Sequence, residues 1–301
     1  MSATPPAPRT WWQRVWFGRD GLRVGWAILL FLVTSAVAIG ILGGIARLLH
    51  LPFDTAHALT PLGTITNEVT QCAGVLVATW VVSLAEHRSW LSYGLGARHG
   101  AFHFAQGAFW GIVLLSVMIA ALVLAHAAVV RPSGAARAAL FRDGWLWAIG
   151  FLLGAGFEEL TFRGYLLFRL SHSFNPVAGA IVMSLLFGAA HTGNAGESVI
   201  GIAMAVAFGL IGCLAVWRTG SLWWIIGVHA AWDWSETYLY GTADSGLAAS
   251  GQLLTTHPAG PVWVSGGAVG PEASVIVFPV MALLALAALF ILPRTRALPT
   301  P

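Results

Sequence analysis

Apolar residues run along this chain in long blocks, separated by short polar connections. A membrane-crossing helix needs about 20 mostly apolar residues. Eight blocks meet or approach that length: residues 25–48, 65–85, 105–129, 145–168, 176–192, 198–217, 221–240 and 273–293. The fifth is the shortest, and the boundary across 168–176 is the least defined. Asn175-Pro176 marks a turn and a helix start, because proline is tolerated in the first helical turn. Residues 241–272, rich in Gly, Ser, Thr and Pro, read as a loop. No internal repeat and no second domain stands out. The pattern predicts an all-α fold, a polytopic membrane bundle of about eight transmembrane helices. It divides into a lead-in at 1–24, one transmembrane domain at 25–293 and a tail at 294–301, with the core of interest at about 145–240.

Composition strengthens this reading. The 301 residues are 57% hydrophobic and only 9% charged, against about 25% charged in soluble domains. An integral membrane protein is expected. All 15 basic residues are arginine, and the net charge of +3 requires no nucleic acid partner. The Arg-only, Gly/Ala/Trp-rich composition suggests a bacterial inner or plasma membrane. Trp11, Trp12, Trp16 and Phe17 beside arginines suit a segment at headgroup level. The apolar run that follows is too long for a signal-peptide core. Eight spans place both termini on one side. With the termini cytoplasmic, that side holds eleven arginines (Arg9, Arg14, Arg19, Arg23, Arg88, Arg98, Arg163, Arg169, Arg218, Arg294 and Arg296) and the other side four (Arg47, Arg131, Arg137 and Arg142). The excess favours cytoplasmic termini. Cys72 and Cys213 both fall in apolar runs, form no CxxC pair, and read as small buried residues.

Against this background the stretch GFEELTFRGYLL, Gly156 to Leu167, is unusual. An ionisable group at mid-bilayer costs roughly 2.5–3.5 kcal/mol on insertion scales, so each one is a functional candidate. The spans contain Glu158 and Glu159 in the fourth, His191 closing the fifth, and His229 and Asp233 in the seventh. Glu68 and His126 stand near span ends and read as interfacial. Residues four apart share a helix face. Glu159 therefore pairs with Arg163 and anchors the helix. Glu158 has no basic residue three or four positions on, and is left free for proton transfer. Glu158 lies 16 residues before the turn near 174, and His191 lies 17 after it, so an antiparallel pair brings them to similar depth. His229 and Asp233, at i and i+4, share a face of the seventh span. Asp233 lies 14 residues past the turn near 219, at a comparable level.

The three motifs, EExxxR (Glu158 to Arg163), FxxxH (Phe187 to His191) and HxxxD (His229 to Asp233), in order on separate spans, resemble those of the CAAX-protease and bacteriocin-processing (CPBP, or Abi) family of intramembrane proteases, which includes the Rce1-like prenyl-protein endopeptidases. The resemblance covers about 155–235, and Phe162-Arg163-Gly164 is similar to the usual extension of the first motif. It implies hydrolysis of peptide bonds in membrane-associated proteins or peptides. Glu158 and His191 would polarise a water. His229, with Asp233, would stabilise the oxyanion, and Glu159, Arg163 and Phe187 would support them. The family's third motif ends in Asn or Asp, and an ionised Asp233 cannot donate as an amide does. Members are often labelled metalloproteases. Glu158, His191 and His229 would be the ligands of a zinc ion, but HExxH is absent and a Glu/His site works without metal, so no cofactor is required. Substrate is expected to enter from the cytoplasmic side, with the fourth helix projecting past Arg163 and Arg169.

Other classes fit less well. No GxSG of a rhomboid-like serine protease and no YD with GxGD of a presenilin-type protease occurs. A transporter would show an inverted repeat. A non-catalytic immunity or scaffold protein on the same fold is the remaining alternative, because fold does not fix function.

Overall fold

The computed structural model describes residues 10–18, 21–54, 58–96, 98–194 and 196–293. The tail 294–301 and residues 1–9 of the lead-in, with Arg9, Arg19, Arg294 and Arg296 of the orientation count, lie outside the described residues.

The chain is helical almost throughout. A short helix, α1 (Trp11–Trp16), carries exposed Trp11, Trp12 and Trp16. There follow α2 (Val24–Leu48), α3 (Pro61–Ala85), α4 (Gly100–Leu124), α5 (Arg137–Phe162), α6 (Tyr165–Ser173), α7 (Pro176–His191), α8 (Val199–Thr219), α9 (Trp223–Trp234), α10 (Val262–Ser265) and α11 (Val277–Ile291). Four of these, α2, α3, α4 and α8, are long and apolar enough to cross a membrane by themselves, and α7 and α11 are shorter apolar helices. Each expected span finds a helix, but the ends differ. α3 and α4 begin at 61 and 100 rather than 65 and 105. The first turn of α3 is set by backbone needs that hydropathy does not report: the Thr60 hydroxyl accepts the Gly63 N–H and Pro61 occupies the first turn. Asn175 and Ser198 cap α7 and α8 in the same way. Residues 128–132, expected in part to end the third span, form a strand antiparallel to 254–258.

The fourth expected span is corrected most. It does not run on to 168. Helix α5 stops at Phe162, Arg163 closes it, and Gly164 turns the chain into the separate helix α6. A Cβ at Gly164 would stand 2.3 Å from the Leu160 carbonyl oxygen, so a larger residue cannot make this turn. The expected projection of the fourth helix past Arg163 and Arg169 is therefore absent. Helix α6 is fastened instead: Tyr165 donates to Glu86 (2.7 Å) and Arg169 pairs with the same carboxylate (3.4 Å).

In the bundle, α4 packs along α9, α2 on α3, α3 on α5, α5 on α9 and α7 on α8. The α4–α9 contact is close because Gly107 and Gly111 face it. Cβ atoms there would meet the Trp224 carbonyl oxygen at 2.0 Å and the Val228 carbonyl oxygen at 2.4 Å. Small residues four apart let membrane helices approach backbone to backbone. Helix α2 lies outermost, with Leu29, Leu32, Val33, Val37, Ile41 and Ile45 exposed, as befits a face against lipid. Cys72 and Cys213 are free and buried, as expected.

Candidate active site

Helices α5, α7 and α9 deliver the candidate side chains to one cavity of about 480 Å³, lined by Glu158, His191, His229 and Asp233 together with Phe187. The depth matching read from the sequence therefore holds for all four polar groups.

Glu159 and Arg163 are both fully buried and pair at 3.1 Å, i to i+4 along the end of α5. The Arg163 guanidinium also lies 3.9 Å from the centre of the Phe187 ring, a favourable cation–π placement. Phe187 thus supports the site from α7: its ring touches His191 (4.7 Å between centres) and stands edge-on to His229 (6.2 Å).

Glu159 does more than anchor its helix. Its Oε1 also lies 2.9 Å from His229 Nδ1. That oxygen already accepts from Arg163 and accepts here too, so Nδ1–H is the donor. The assignment of Glu159 to Arg163 alone is corrected accordingly. The other nitrogen, His229 Nε2, points to two more carboxylates: Asp233 Oδ2 at 3.5 Å and Glu158 Oε2 at 3.8 Å. The two adjacent glutamates therefore hold opposite faces of one imidazole. Their exposure separates them: the Glu158 side chain is 32% exposed and that of Glu159 is 0% exposed. Only Glu158 can meet a water molecule.

His191 closes α7. Its Nδ1 lies 2.8 Å from the Phe187 carbonyl oxygen. A carbonyl only accepts, so Nδ1 carries a proton, and Nε2 is the ring nitrogen not engaged by this bond. His191 and Glu158 are not in direct hydrogen bond; they face the same cavity.

Several polar groups of the cavity were not anticipated. Glu68, read as interfacial, lies on the wall instead, against Gly154, with one oxygen accepting from Gln71 and the other unpartnered. His126, read the same way, is exposed just past the end of α4. Glu236 lies inside the seventh expected span and was passed over, although an acid there carried the same signal as Asp233. The 241–272 loop folds over the cavity and supplies Asp244, Ser245 and Leu247, with Glu272 from the turn that follows. Burial, and then the charge of Glu272, push the Asp244 carboxyl up to about 7. Burial likewise raises Glu197, in the connection before α8. No local pattern in the loop's own sequence shows which of its acids turn inward.

Glu158, His191 and His229 are the residues that would hold a zinc ion. The residue types suit it, and a carboxylate behind a ligand histidine, as Glu159 stands behind His229, is a common arrangement. The positions do not: among the described residues, the group whose ligand atoms all lie within 4.8 Å of one another is Glu236, Asp244 and Glu272. The Glu158, His191 and His229 atoms do not converge to that degree.

Residues 140–235 match the family model described as type II CAAX prenyl endopeptidase Rce1-like. This stretch is similar to Rce1-like endopeptidase domains. It contains all three motifs, and with its apolar helices the chain is an integral membrane protein of mostly helical fold. No curated protein and no solved structure matches the chain. The match ends at Ser235, so Glu236, Asp244 and Glu272 lie beyond the matched stretch.

Proposed function

We propose that the protein is an intramembrane endopeptidase that cleaves membrane-associated peptides or proteins with a water activated by Glu158 and His191. The observation that carries this reading is the unequal treatment of two neighbouring glutamates. Glu159 is sealed between Arg163 and His229, while Glu158 is partly open to a cavity shared with the free Nε2 of His191.

In this reading a water held between Glu158 and His191 adds to the scissile carbonyl carbon. Glu158 takes the proton that the water loses. Negative charge develops on the former carbonyl oxygen and is met by the His229 Nε2–H, while Nδ1–H on the other edge of the same doubly protonated ring is held by Glu159. Fixed donors aimed at a developing oxyanion are the usual large electrostatic contribution. When the C–N bond breaks, the proton returns from Glu158 to the leaving amine. The products are a carboxylate and an amine, with no acyl-enzyme between. Asp233, 3.5 Å from His229 Nε2, holds the ring's charge and orientation. No metal is required by this scheme. The reading is compatible with a bacterial inner membrane and cytoplasmic termini, with a peptide or membrane protein as substrate and no nucleic acid partner.

The test is a set of variants with folded protein held at equal levels in the membrane. His229→Ala is expected to lower the cleavage rate about 10²–10³-fold, the usual loss for one oxyanion donor, and His191→Ala to lower it comparably. Cleavage unchanged in both would overturn the assignment of roles.

A further inference from the structure

Three carboxylates outside the proposed catalytic set converge beside the cavity, which two of them, Asp244 and Glu272, also line. Glu236 stands on the π-helical turn that follows α9, Asp244 in the loop, and Glu272 on the turn Pro271–Ala273. An oxygen from each lies within 4.8 Å of the other two. Glu236 is fully buried, and neither of its oxygens has a hydrogen-bond partner. The other two are held in place by neutral donors: Thr237 on Asp244 (3.3 Å), and Ser245 (2.7 Å) and the Trp232 indole (3.1 Å) on Glu272. Among the described residues no arginine or histidine pairs with any of the three. Buried anionic oxygens with no positive partner are strongly unfavourable. The backbone also keeps the space beside Glu236 open. Gly270 has φ +113°, and a Cβ there would stand 3.2 Å from Glu236 Oε1 and 2.3 Å from the Ala243 carbonyl oxygen.

We propose that Glu236, Asp244 and Glu272 bind one hard divalent cation, of the Ca²⁺ or Mg²⁺ class, which ties the 241–272 loop to the end of α9. An all-oxygen donor set with no imidazole or thiol selects hard cations over zinc or copper. The spacing suits them: opposite ligands stand about 4.6–5.2 Å apart on Ca²⁺ and about 4.0–4.2 Å apart on Mg²⁺. The three ligands come from three successive elements, so the ion would fasten the loop that lines the cavity. This inference does not rest on the protease reading: none of the three residues belongs to the proposed catalytic set, and all three lie beyond the matched stretch 140–235.

The test uses the full-length protein in detergent, stripped with chelator. Equilibrium binding of radioactive Ca²⁺ is expected to saturate at one ion per chain. Ca²⁺ at about a hundred times its Kd is expected to raise the Tm by about 5 °C. Mg²⁺ is the second arm: if it competes at equal concentration the site is of the small octahedral kind, and if it does not the site is a calcium site. Glu236→Gln is expected to abolish both binding and the Tm response. Should that variant fail to fold, Asp244→Asn, in the loop, carries the same expectation. Wild-type protein that binds neither ion, or either variant binding as wild type does, would overturn the proposal.

Discussion

Glu158 and Glu159 are neighbours in sequence with unlike surroundings, and the difference comes from what each meets. Helical spacing put Glu159 on Arg163 and left Glu158 without a local partner, and that part was legible in the sequence. The bond from His229 to Glu159 was not, because it joins α5 to α9 across the bundle, and no spacing within one helix reports it. It follows that Arg163→Ala leaves Glu159 buried with one partner fewer. A loss of about 3–5 kcal/mol is expected, the usual result of stripping one member of a buried pair, read as a fall in folded protein in the membrane. Glu159→Gln is expected to lower both folded protein and catalytic rate, since it also frees His229. A Glu159→Gln enzyme with full activity would show that the His229 contact has no role in catalysis.

At the scale of elements, hydropathy located the helices but not their ends. Each of the eight apolar blocks holds a helix, and four of these helices, α2, α3, α4 and α8, are long and apolar enough to cross about 30 Å of hydrocarbon. The ends are set by caps, glycines and contacts that carry no hydropathy signal, such as Thr60 before α3 and Gly164 after α5. The Gly107–Gly111 face of α4 is a case where packing decides. Gly111→Ala places a methyl 2.4 Å from the Val228 carbonyl oxygen, one residue from His229. It is expected to destabilise by about 1–3 kcal/mol, the usual cost of overpacking, and to lower activity by displacing α9. Gly43→Ala in α2, where nothing lies within 4 Å of the added methyl, is the control and is expected to leave the Tm unchanged or higher. Equal Tm values for the two variants would contradict the packing described for α4 and α9.

For the whole molecule, the side to which the cavity opens depends on the orientation of the chain. The connections that line it are 49–60, through Asp54 and Leu59, 192–198, through Asn194 and Glu197, and 241–272. The turn near 174 contributes nothing to it. Those three connections share one side of the bundle, and α6 and the turn near 174 occupy the other. With cytoplasmic termini the cavity thus faces away from the cytoplasm, opposite to the entry expected from the sequence. The sequence could not show this, because arginine counts orient spans and say nothing of which loop ends fold inward. Labelling decides the orientation. Cys72 and Cys213 are buried, and His257 and His172 are exposed on the two sides. A membrane-impermeant maleimide is expected to label His257→Cys from outside intact cells and to spare His172→Cys. The reverse pattern would invert the chain and give the cavity a cytoplasmic mouth.

The central claim is that Glu158 activates water for peptide hydrolysis. The most direct measurement compares protein N-termini in membranes carrying the wild type or Glu158→Gln, at equal levels of folded protein. The exchange is nearly isosteric and Glu158 carries no buried ion pair to arginine, so the fold is expected to persist. New N-termini present with the wild type and absent with Glu158→Gln are the predicted result, and they would name the substrates. The same new N-termini produced by a well-folded Glu158→Gln protein would contradict the account.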